Sequence, residues 1–204
     1  MITIAIQAGG QSRRMGRDKG LVPLNNKPMI EHVLTRLEGI AEEIIITTNQ
    51  PENYEYLGLP LFTDRQPQAG ALAGLETAVK AANGDYVFVV ACDMPFVSSK
   101  LVKYITARAK QADVIVPHFE DRYQPLHALY NKSTCMPAIK TVLAENKKRV
   151  ISFFPLVSVQ EISAAEIKPI DPTGRSFQNI NTPEELTLAE IYLNNSTIVN
   201  TSSP

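Results

Sequence analysis

The 204-residue sequence contains no tryptophan, only two cysteines and almost no net charge. Two cysteines outside any C-x-x-C arrangement are no disulfide framework, so we expect a small buried residue at Cys92 and a free thiol at Cys135. A net charge of −1 gives no general basic field for nucleic acid or an anionic membrane, so any bound anion needs a local site. No apolar run reaches the length of a membrane span or a signal segment. We therefore expect a cytoplasmic protein without membrane or nucleic-acid partners.

Apolar strands alternate with amphipathic helices along most of the chain, which is 44% hydrophobic. The strands are predicted at Ile2–Ala8, Ile44–Thr48, Leu59–Thr63, Tyr86–Ala91, Asp113–Pro117 and Leu126–Tyr130, and the helices at Lys27–Leu37, Leu72–Ala82, Ser98–Ala109, Ser133–Ala144 and Thr182–Leu193. The stretch Arg149–Ile162 is ambiguous, with an edge strand at its end. This alternation predicts an α/β fold of three Rossmann-like layers, a mostly parallel sheet with helices on both faces. We expect one domain over residues 1–193 and a disordered polar tail over residues 194–204.

In such sheets ligands bind beyond the carboxyl ends of the strands, so the loop after the first strand is the first candidate site. Its glycines allow close approach of the backbone to phosphate oxygens, and Arg13, Arg14 and Lys19 supply positive charge. The spacing matches neither G-x-G-x-x-G nor G-x-x-x-x-G-K-[ST], so dinucleotide-binding and P-loop interpretations lose their main support. The remaining interpretation is a loop that wraps a polyphosphate.

The pattern A-G-G-x-S-x-R-M-G-x-D-K over Ala8–Lys19 resembles the signature of the molybdenum cofactor guanylyltransferases, members of the nucleotidyltransferase superfamily. Further stretches resemble the same family in the same order, and the resemblance spans roughly Ile4 to Leu193. These stretches are Gly70–Gly74, Cys92–Phe96, Pro125–Tyr130 and Phe177–Glu184. The resemblance implies transfer of GMP from GTP to molybdopterin carrying molybdenum, with release of pyrophosphate and with Mg²⁺ as cofactor.

Two positions depart from the family pattern. Gln7 stands where the family usually has leucine, and Ala71 stands where it usually has proline. Contacts made through the backbone are compatible with both residues, but the side chain of Gln7 is expected to affect how the protein recognises the edge of the nucleotide base.

Asp93 closes an apolar strand, where an unpaired carboxylate is costly without a cation or hydrogen-bond donors. The resemblance implies that Asp93 is the Mg²⁺ ligand and that Lys19 and Arg13 are catalytic, neutralising the leaving pyrophosphate. Arg14 is the alternative to Arg13, because only one of two adjacent arginines is expected to face the ligand. The GTP-binding residues implied by the resemblance are Gln7, Ala8, Gly9, Gly10, Lys19, Thr47, Asn49, Asp64 and Asp93.

The acceptor side is expected at Gly70, Gly74, Asn179 and Asn181. The two asparagines alternate, so on an extended segment both amides point the same way and suit the hydrogen-bonding edge of a pterin. The resemblance assigns all four residues to the acceptor. Transient partners that hand over the cofactor are also expected, although no partner surface is legible in the sequence.

The three histidines lack metal-ligand spacing, and none is expected to act as a base. The reaction implied needs none, because the attacking phosphate oxygen is already negative at neutral pH. Within the fold, the alternatives are a cytidylyltransferase or a sugar-phosphate nucleotidylyltransferase. A non-catalytic nucleotide-binding regulator is the alternative outside enzymes, and it has no need to keep both Asp93 and Lys19.

Overall fold

The computed structural model describes residues 1–8, 18–64 and 70–201. Strands and helices alternate along the described chain. The strands are β1 (Ile2–Gln7), β2 (Pro23–Leu24), β3 (Lys27–Pro28), β4 (Glu43–Thr47), β5 (Leu61–Phe62), β6 (Tyr86–Ala91), β7 (Val114–Phe119), β8 (Arg122–Tyr123), β9 (His127–Asn131) and β10 (Val159–Ile162). The helices are α1 (Met29–Leu37), α2 (Ala71–Ala81), α3 (Ser99–Thr106), α4 (Lys132–Ala144), α5 (Ala164–Ile167) and α6 (Pro183–Thr201).

One large sheet organises the fold, with the strand order β10-β7-β9-β6-β1-β4-β5 and with β8 paired to β7. β1 lies at its centre and pairs in parallel with β4 and β6. β9 runs antiparallel between β6 and β7, and β10 returns in parallel beside β7. The prediction of a mostly parallel sheet is confirmed, while the direction of β9 lay beyond what its apolar pattern could indicate.

The sheet is covered on both faces, because alternate residues of its central strands are buried in two separate cores. Ile4 and Ile6 of β1 pack on the face that carries α1 and α3. Ala5, one residue away, packs on the opposite face with α2 and α4. Each fully buried isoleucine contributes roughly 1.5–3 kcal/mol. The three-layer architecture expected from the sequence is confirmed.

The predicted helix Lys27–Leu37 begins two residues later than expected, at Met29. Lys27 and Pro28 instead form β3, which pairs with β2 across Asn25 and Asn26. Both asparagines have positive φ, 48° and 62°, the geometry of a two-residue hairpin turn that asparagine tolerates.

Other helix and strand boundaries also differ from the prediction. α3 ends at Thr106 rather than Ala109, and the ambiguous stretch contains a 3₁₀ helix from Val150 to Leu156 before β10. α6 was expected to end near Leu193 and instead continues to Thr201, into the segment expected to be a disordered tail. The polar Asn, Ser and Thr residues there have only modest helix propensity, which is why the sequence pattern indicated an end. Both cysteines are buried and unpaired, as expected.

Within the described residues, no helix is long and apolar enough to cross a bilayer.

His127 on β9 is completely buried between two aromatic rings. The ring centroids of Phe88 and Phe177 lie 5.2 and 5.1 Å from its imidazole, both edge-on. Neither ring nitrogen has a hydrogen-bond partner in the part of the chain that the structure describes. Burial lowers the pKa of His127 to about 3, against the opposing charge of Asp171. The histidine is therefore a neutral core residue rather than a base, as expected.

This burial predicts an acid-sensitive fold. The unfolded chain protonates His127 below about pH 6.5, whereas the folded protein resists protonation until about pH 3. The stability that rests on neutral His127 is thus present above pH 6.5 and is lost as the pH falls. Between pH 7 and pH 4.5, wild type should lose about 2–3 kcal/mol of unfolding free energy relative to His127→Leu. Denaturant titrations of both proteins at the two pH values measure this difference, and parallel pH dependences would contradict the assignment.

Candidate functional site

The carboxyl ends of β1, β4 and β6 open at one edge of the sheet. Gln7 is in register with Thr47 on one side and Ala91 on the other. The N–H of Ala8 donates to the Thr47 carbonyl at 2.8 Å, and the N–H of Cys92 donates to the Gln7 carbonyl at 3.0 Å. The pairing thus runs one residue beyond the strands, and the N–H of Ala8 belongs to the sheet rather than to a ligand.

Lys19 and Asp93 form an ion pair at this edge. The Lys19 ammonium lies 3.2 Å from Oδ2 of Asp93. The Asp93 side chain is only 7% exposed, whereas Lys19 keeps 26% of its side chain accessible. A buried carboxylate at a strand end therefore has the cationic partner that its burial requires.

Asn179 and Asn181 complete the same cluster from the C-terminal part of the chain. Nδ2 of Asn179 donates to Oδ1 of Asp93 at 2.9 Å, and the Lys19 ammonium donates to Oδ1 of Asn181. Between them, the N–H of buried Ile180 donates to the Asp93 carbonyl at 3.0 Å. The two amides thus share a side of their segment, as their alternation predicted, and they contact the ion pair directly.

The start of α6 holds this segment in place. The Glu185 carboxylate accepts from the N–H groups of Asn181 at 2.6 Å and Thr182 at 3.1 Å. The Thr182 hydroxyl accepts in return from the Glu185 N–H at 3.2 Å. This reciprocal cap fixes the helix start and with it the position of Asn181.

Lys19 is positioned by the residue before it. Asp18 caps a 3₁₀ turn over Lys19–Leu21, its Oδ1 accepting from the Gly20 N–H at 3.2 Å and from the hydroxyl of the fully buried Tyr54 at 2.5 Å. Burial raises the pKa of Asp18, while these two hydrogen bonds oppose the rise. Burial, with nearby Cys92 and Asp18, raises the pKa of Tyr54 far above its usual range, so the phenol stays a donor. A Cβ on Gly20 would lie 2.6 Å from the Tyr54 hydroxyl, so this turn requires glycine.

A second polar group lies on the α2 side of the same edge. Gln7 is 8% exposed and its carboxamide packs against Gly74 of α2. Asp64, just after β5, is half-buried and hydrogen-bonds Thr77 of the same helix. Burial raises the pKa of Asp64, opposed by the hydrogen bond from Thr77. Nε2 of Gln7 and Oδ1 of Asp64 both lack a partner among the described residues.

A polar cavity of about 780 Å³ adjoins the ion-pair cluster on its other side. Its volume lies within the range of small-molecule sites. The guanidinium of Arg175 stacks 3.7 Å from the Tyr192 ring at its wall, and its buried Nε has no hydrogen-bond partner within the described segments. The lining includes Arg122, Tyr123, Gln124, Arg175, Gln178, Asn179, Asn181 and Glu185.

Several predicted site residues lie outside this arrangement. Gly9, Gly10 and Arg13, together with the alternative Arg14, fall outside the described residues. Asn49 is exposed beyond β4, whereas Thr47 is buried within the sheet.

The residues expected at the acceptor do not share one location. The close contacts of Gly74 are with Gln7, on the nucleotide side of the expected site. Gly70 immediately precedes α2 and has φ +75°, a conformation that favours glycine, and a Cβ there would lie 3.4 Å from Lys148. Asn179 and Asn181 lie instead beside Lys19 and Asp93. The assignment of all four to one acceptor therefore stays a prediction.

Sequence reasoning missed four residues that build the site: Asp18, Tyr54, Arg175 and Glu185. Asp18 stood inside the quoted motif without a role, and Glu185 lay in the first turn of the predicted helix Thr182–Leu193 without a role. Tyr54 had no local signal, because its partner lies 36 positions away. Arg175 stood just before the Phe177–Glu184 stretch, without a charge pattern to mark it.

A mostly parallel sheet with a lysine, a buried carboxylate and two amides gathered at its carboxyl edge is the arrangement of an α/β protein of the nucleotidyltransferase type. Residues 4–158 match the MobA-like NTP transferase domain family. A probable molybdenum cofactor guanylyltransferase of Carboxydothermus hydrogenoformans is 35% identical over 90% of this chain and 92% of its own. One from Pelotomaculum thermopropionicum is 37% identical over 95% and 94%.

The crystal structure of molybdopterin-guanine dinucleotide biosynthesis protein A from Archaeoglobus fulgidus has the same fold. It superimposes with a TM-score of 0.82 over 95% of this chain and 99% of that one, at 24% identity. With the sequence matches over nearly the whole length of both chains, the family is settled. The chain belongs to the molybdenum cofactor guanylyltransferase family, within the MobA-like NTP transferases.

The Tyr54–Asp18 contact yields a stability prediction. Tyr54→Phe removes a donor from a half-buried carboxylate and should lower the free energy of unfolding by about 1–3 kcal/mol. Tyr56→Phe is the matched control, because the Tyr56 hydroxyl donates to Glu31 on the exposed surface. Its cost should stay within about 0.5 kcal/mol. Equal urea midpoints for the two variants would mean that the buried contact does not stabilise the turn that carries Lys19.

Proposed function

We propose that this protein transfers GMP from GTP to molybdopterin carrying molybdenum. An oxygen of the acceptor's terminal phosphate attacks the α-phosphorus of GTP. The bond from that phosphorus to the oxygen bridging to the β-phosphate breaks, and pyrophosphate leaves. The observation that carries the proposal is the Lys19–Asp93 pair, held between the end of the glycine-rich loop and the Asn179–Asn181 segment. The names of the relatives support the same nucleotide and acceptor.

The difficulty of this reaction is charge, because two anions must meet while further charge gathers on the leaving oxygens. Lys19 brings a point charge whose direction is fixed by Asp93 and Asn181 before substrate arrives. Cations and donors fixed in advance lower the barrier more than mobile ones, since they need no rearrangement during the reaction. Arg13, which lies outside the described residues, is proposed to share this neutralisation at the pyrophosphate.

Mg²⁺ is proposed as the cofactor, with Asp93 as its protein ligand. The described residues hold no group of three or more His, Cys, Asp or Glu side chains suited to a metal ion. A lone carboxylate next to a phosphate site suits Mg²⁺, which takes one or two carboxylates and completes its shell with phosphates and water. Asp93 accepts one hydrogen bond on each oxygen, so each retains a lone pair. Once bound, the ion would supply positive charge to the phosphates.

The acceptor is proposed to occupy the polar cavity beside Asn179 and Asn181. The cavity begins at the ion-pair cluster, so a ligand there would present its phosphate to the nucleotide. Arg122 is paired with Glu120 at 3.5 Å, which leaves Arg175 as the better-placed cation for an acidic ligand. Transient handover of the product to other proteins, in the cytoplasm, belongs to the same proposal.

Removal of either member of the ion pair tests the catalytic role. Asp93→Ala and Lys19→Ala should each lower kcat/KM for pyrophosphate release by about 100-fold or more, because Lys19→Ala removes a fixed positive charge and Asp93→Ala removes the proposed Mg²⁺ ligand and the partner that orients Lys19. Asp85→Ala and Lys80→Ala are the matched controls, since both side chains are exposed and far from this edge. Near-normal, magnesium-dependent release by Asp93→Ala would refute its assignment as the metal ligand.

Arg175 tests the location of the acceptor. Arg175→Ala should raise the KM for molybdopterin about 10-fold while leaving the KM for GTP unchanged, since a charged hydrogen bond contributes about 1.5–3 kcal/mol. Arg108→Ala is the matched control, because that guanidinium stacks 3.4 Å from the Tyr104 ring on α3, outside the cavity. Steady-state kinetics with each substrate varied in turn measures both constants. An unchanged acceptor KM would place the acceptor elsewhere.

A further inference from the structure

β1 carries two polar residues, Thr3 and Gln7, and they differ in their hydrogen bonding. Thr3 is fully buried, and its hydroxyl donates to Glu43 at 2.5 Å and accepts from the Gly84 N–H at 2.9 Å. Gln7 is 8% exposed, and its Nε2 has no hydrogen-bond partner anywhere in the described chain. A buried donor without a partner destabilises the fold, so a leucine at this position would be the more stable choice for the fold alone.

The carboxamide has little freedom to turn away from this position. A Cβ added to Gly74 would lie 3.1 Å from Nε2 and 3.4 Å from Oε1 of Gln7. The glycine thus leaves room for the amide between β1 and α2, and the amide fills that room. A donor held in one place by packing, without a partner, is the arrangement of a ligand-reading group.

An unpartnered acceptor lies on the same side of the sheet. The register aligns Gln7 with Thr47, and Thr47 with Phe62 of β5. Asp64 follows two residues after Phe62, and its carboxylate hydrogen-bonds Thr77, one helical turn after Gly74 on α2. Oδ1 of Asp64 is buried without a partner, as Nε2 of Gln7 is. A donor and an acceptor without partners among the described residues therefore flank the first turns of one helix, near the carboxyl end of β1.

We propose that the Gln7 carboxamide reads O6 of the guanine base, opposite Asp64, which accepts from the base's N1–H and amino group. This inference rests on the proposed function and names a specificity determinant for its nucleotide. Guanine carries an acceptor at O6 and donors at N1 and N2, which complements the pair. Adenine places an amino donor at position 6, against the Gln7 donor, and an acceptor at N1, against the carboxylate. Cytosine likewise brings ring acceptors toward Asp64.

A nucleotide analogue tests the Gln7 contact without any need for the acceptor substrate. The triphosphate of 2-aminopurine riboside lacks both O6 and N1–H but keeps the amino group at position 2, so its binding should not depend on a contact between Gln7 and O6. Calorimetric titration with magnesium gives Kd values for this analogue and for GTP on each variant. Gln7→Leu should weaken GTP about 10-fold, the worth of one buried hydrogen bond, and change analogue binding less than about twofold. The preference for GTP over the analogue should therefore fall about 10-fold.

A second variant and a control guard against a merely structural effect. Gly74→Ala should also reduce the preference, because its Cβ would meet the Gln7 amide at 3.1 Å while the carboxamide itself stays present. Gln160→Leu, on the edge strand β10, should leave the preference unchanged. Thermal melting confirms that each variant is folded before titration.

The outcomes are distinguishable. If Gln7→Leu weakens both nucleotides equally or neither, Gln7 does not read O6 and the inference is overturned while the proposed function stands. If wild type binds ATP or CTP as tightly as GTP, the protein does not select guanine, and both the inference and the proposed function are overturned. A collapse of the GTP preference in Gln7→Leu and Gly74→Ala, with Gln160→Leu unaffected, supports the inference.

Discussion

The rest of the site depends on one constraint, the burial of the Asp93 carboxylate at the end of a central strand. A buried carboxylate needs a cation and donors, and the chain meets that need from two distant segments. Lys19 comes from 74 residues upstream and Asn179 from 86 residues downstream. The start of α6 then fixes the downstream segment through Glu185. Satisfying one carboxylate thus brings together the end of the glycine-rich loop and the C-terminal part of the chain.

Because these segments converge, polar groups lie on both sides of the Lys19–Asp93 ion pair at the edge of the sheet. On one side, next to the first turns of α2, Gln7 and Asp64 each have a buried polar atom without a partner among the described residues. On the other, a polar cavity begins at Asn179 and Asn181 and ends against Arg175. The ion pair lies between them, where the two substrates of a transferase would have to meet. A regulator that only senses a nucleotide has no need of the second side.

Local pattern and topology made much of this predictable. The apolar run of β1 marked a strand buried on both faces, and the rule that ligands lie at carboxyl strand ends pointed to Lys19, Asp64 and Asp93. Alternation also placed Asn179 and Asn181 on one side. The rest depends on tertiary contacts with no local signal. Tyr54 reaches Asp18 only because the fold buries it in the core on the α1 and α3 face of the sheet. The antiparallel direction of β9 cannot be read from an apolar run. The polar end of α6 continues as a helix against its weak propensity.

The central claim, that the ion pair serves transfer of a nucleotidyl group, is tested most directly by following labelled phosphorus. Wild type would be incubated with magnesium, molybdopterin carrying molybdenum, and GTP labelled at either the α- or the γ-phosphate. The account predicts that the α-label moves to the acceptor, while the γ-label leaves in pyrophosphate. Movement of the γ-label to the acceptor would mean phosphoryl rather than nucleotidyl transfer. Saturable GTP binding without transfer of either label would make the protein a sensor, and either result would contradict the account.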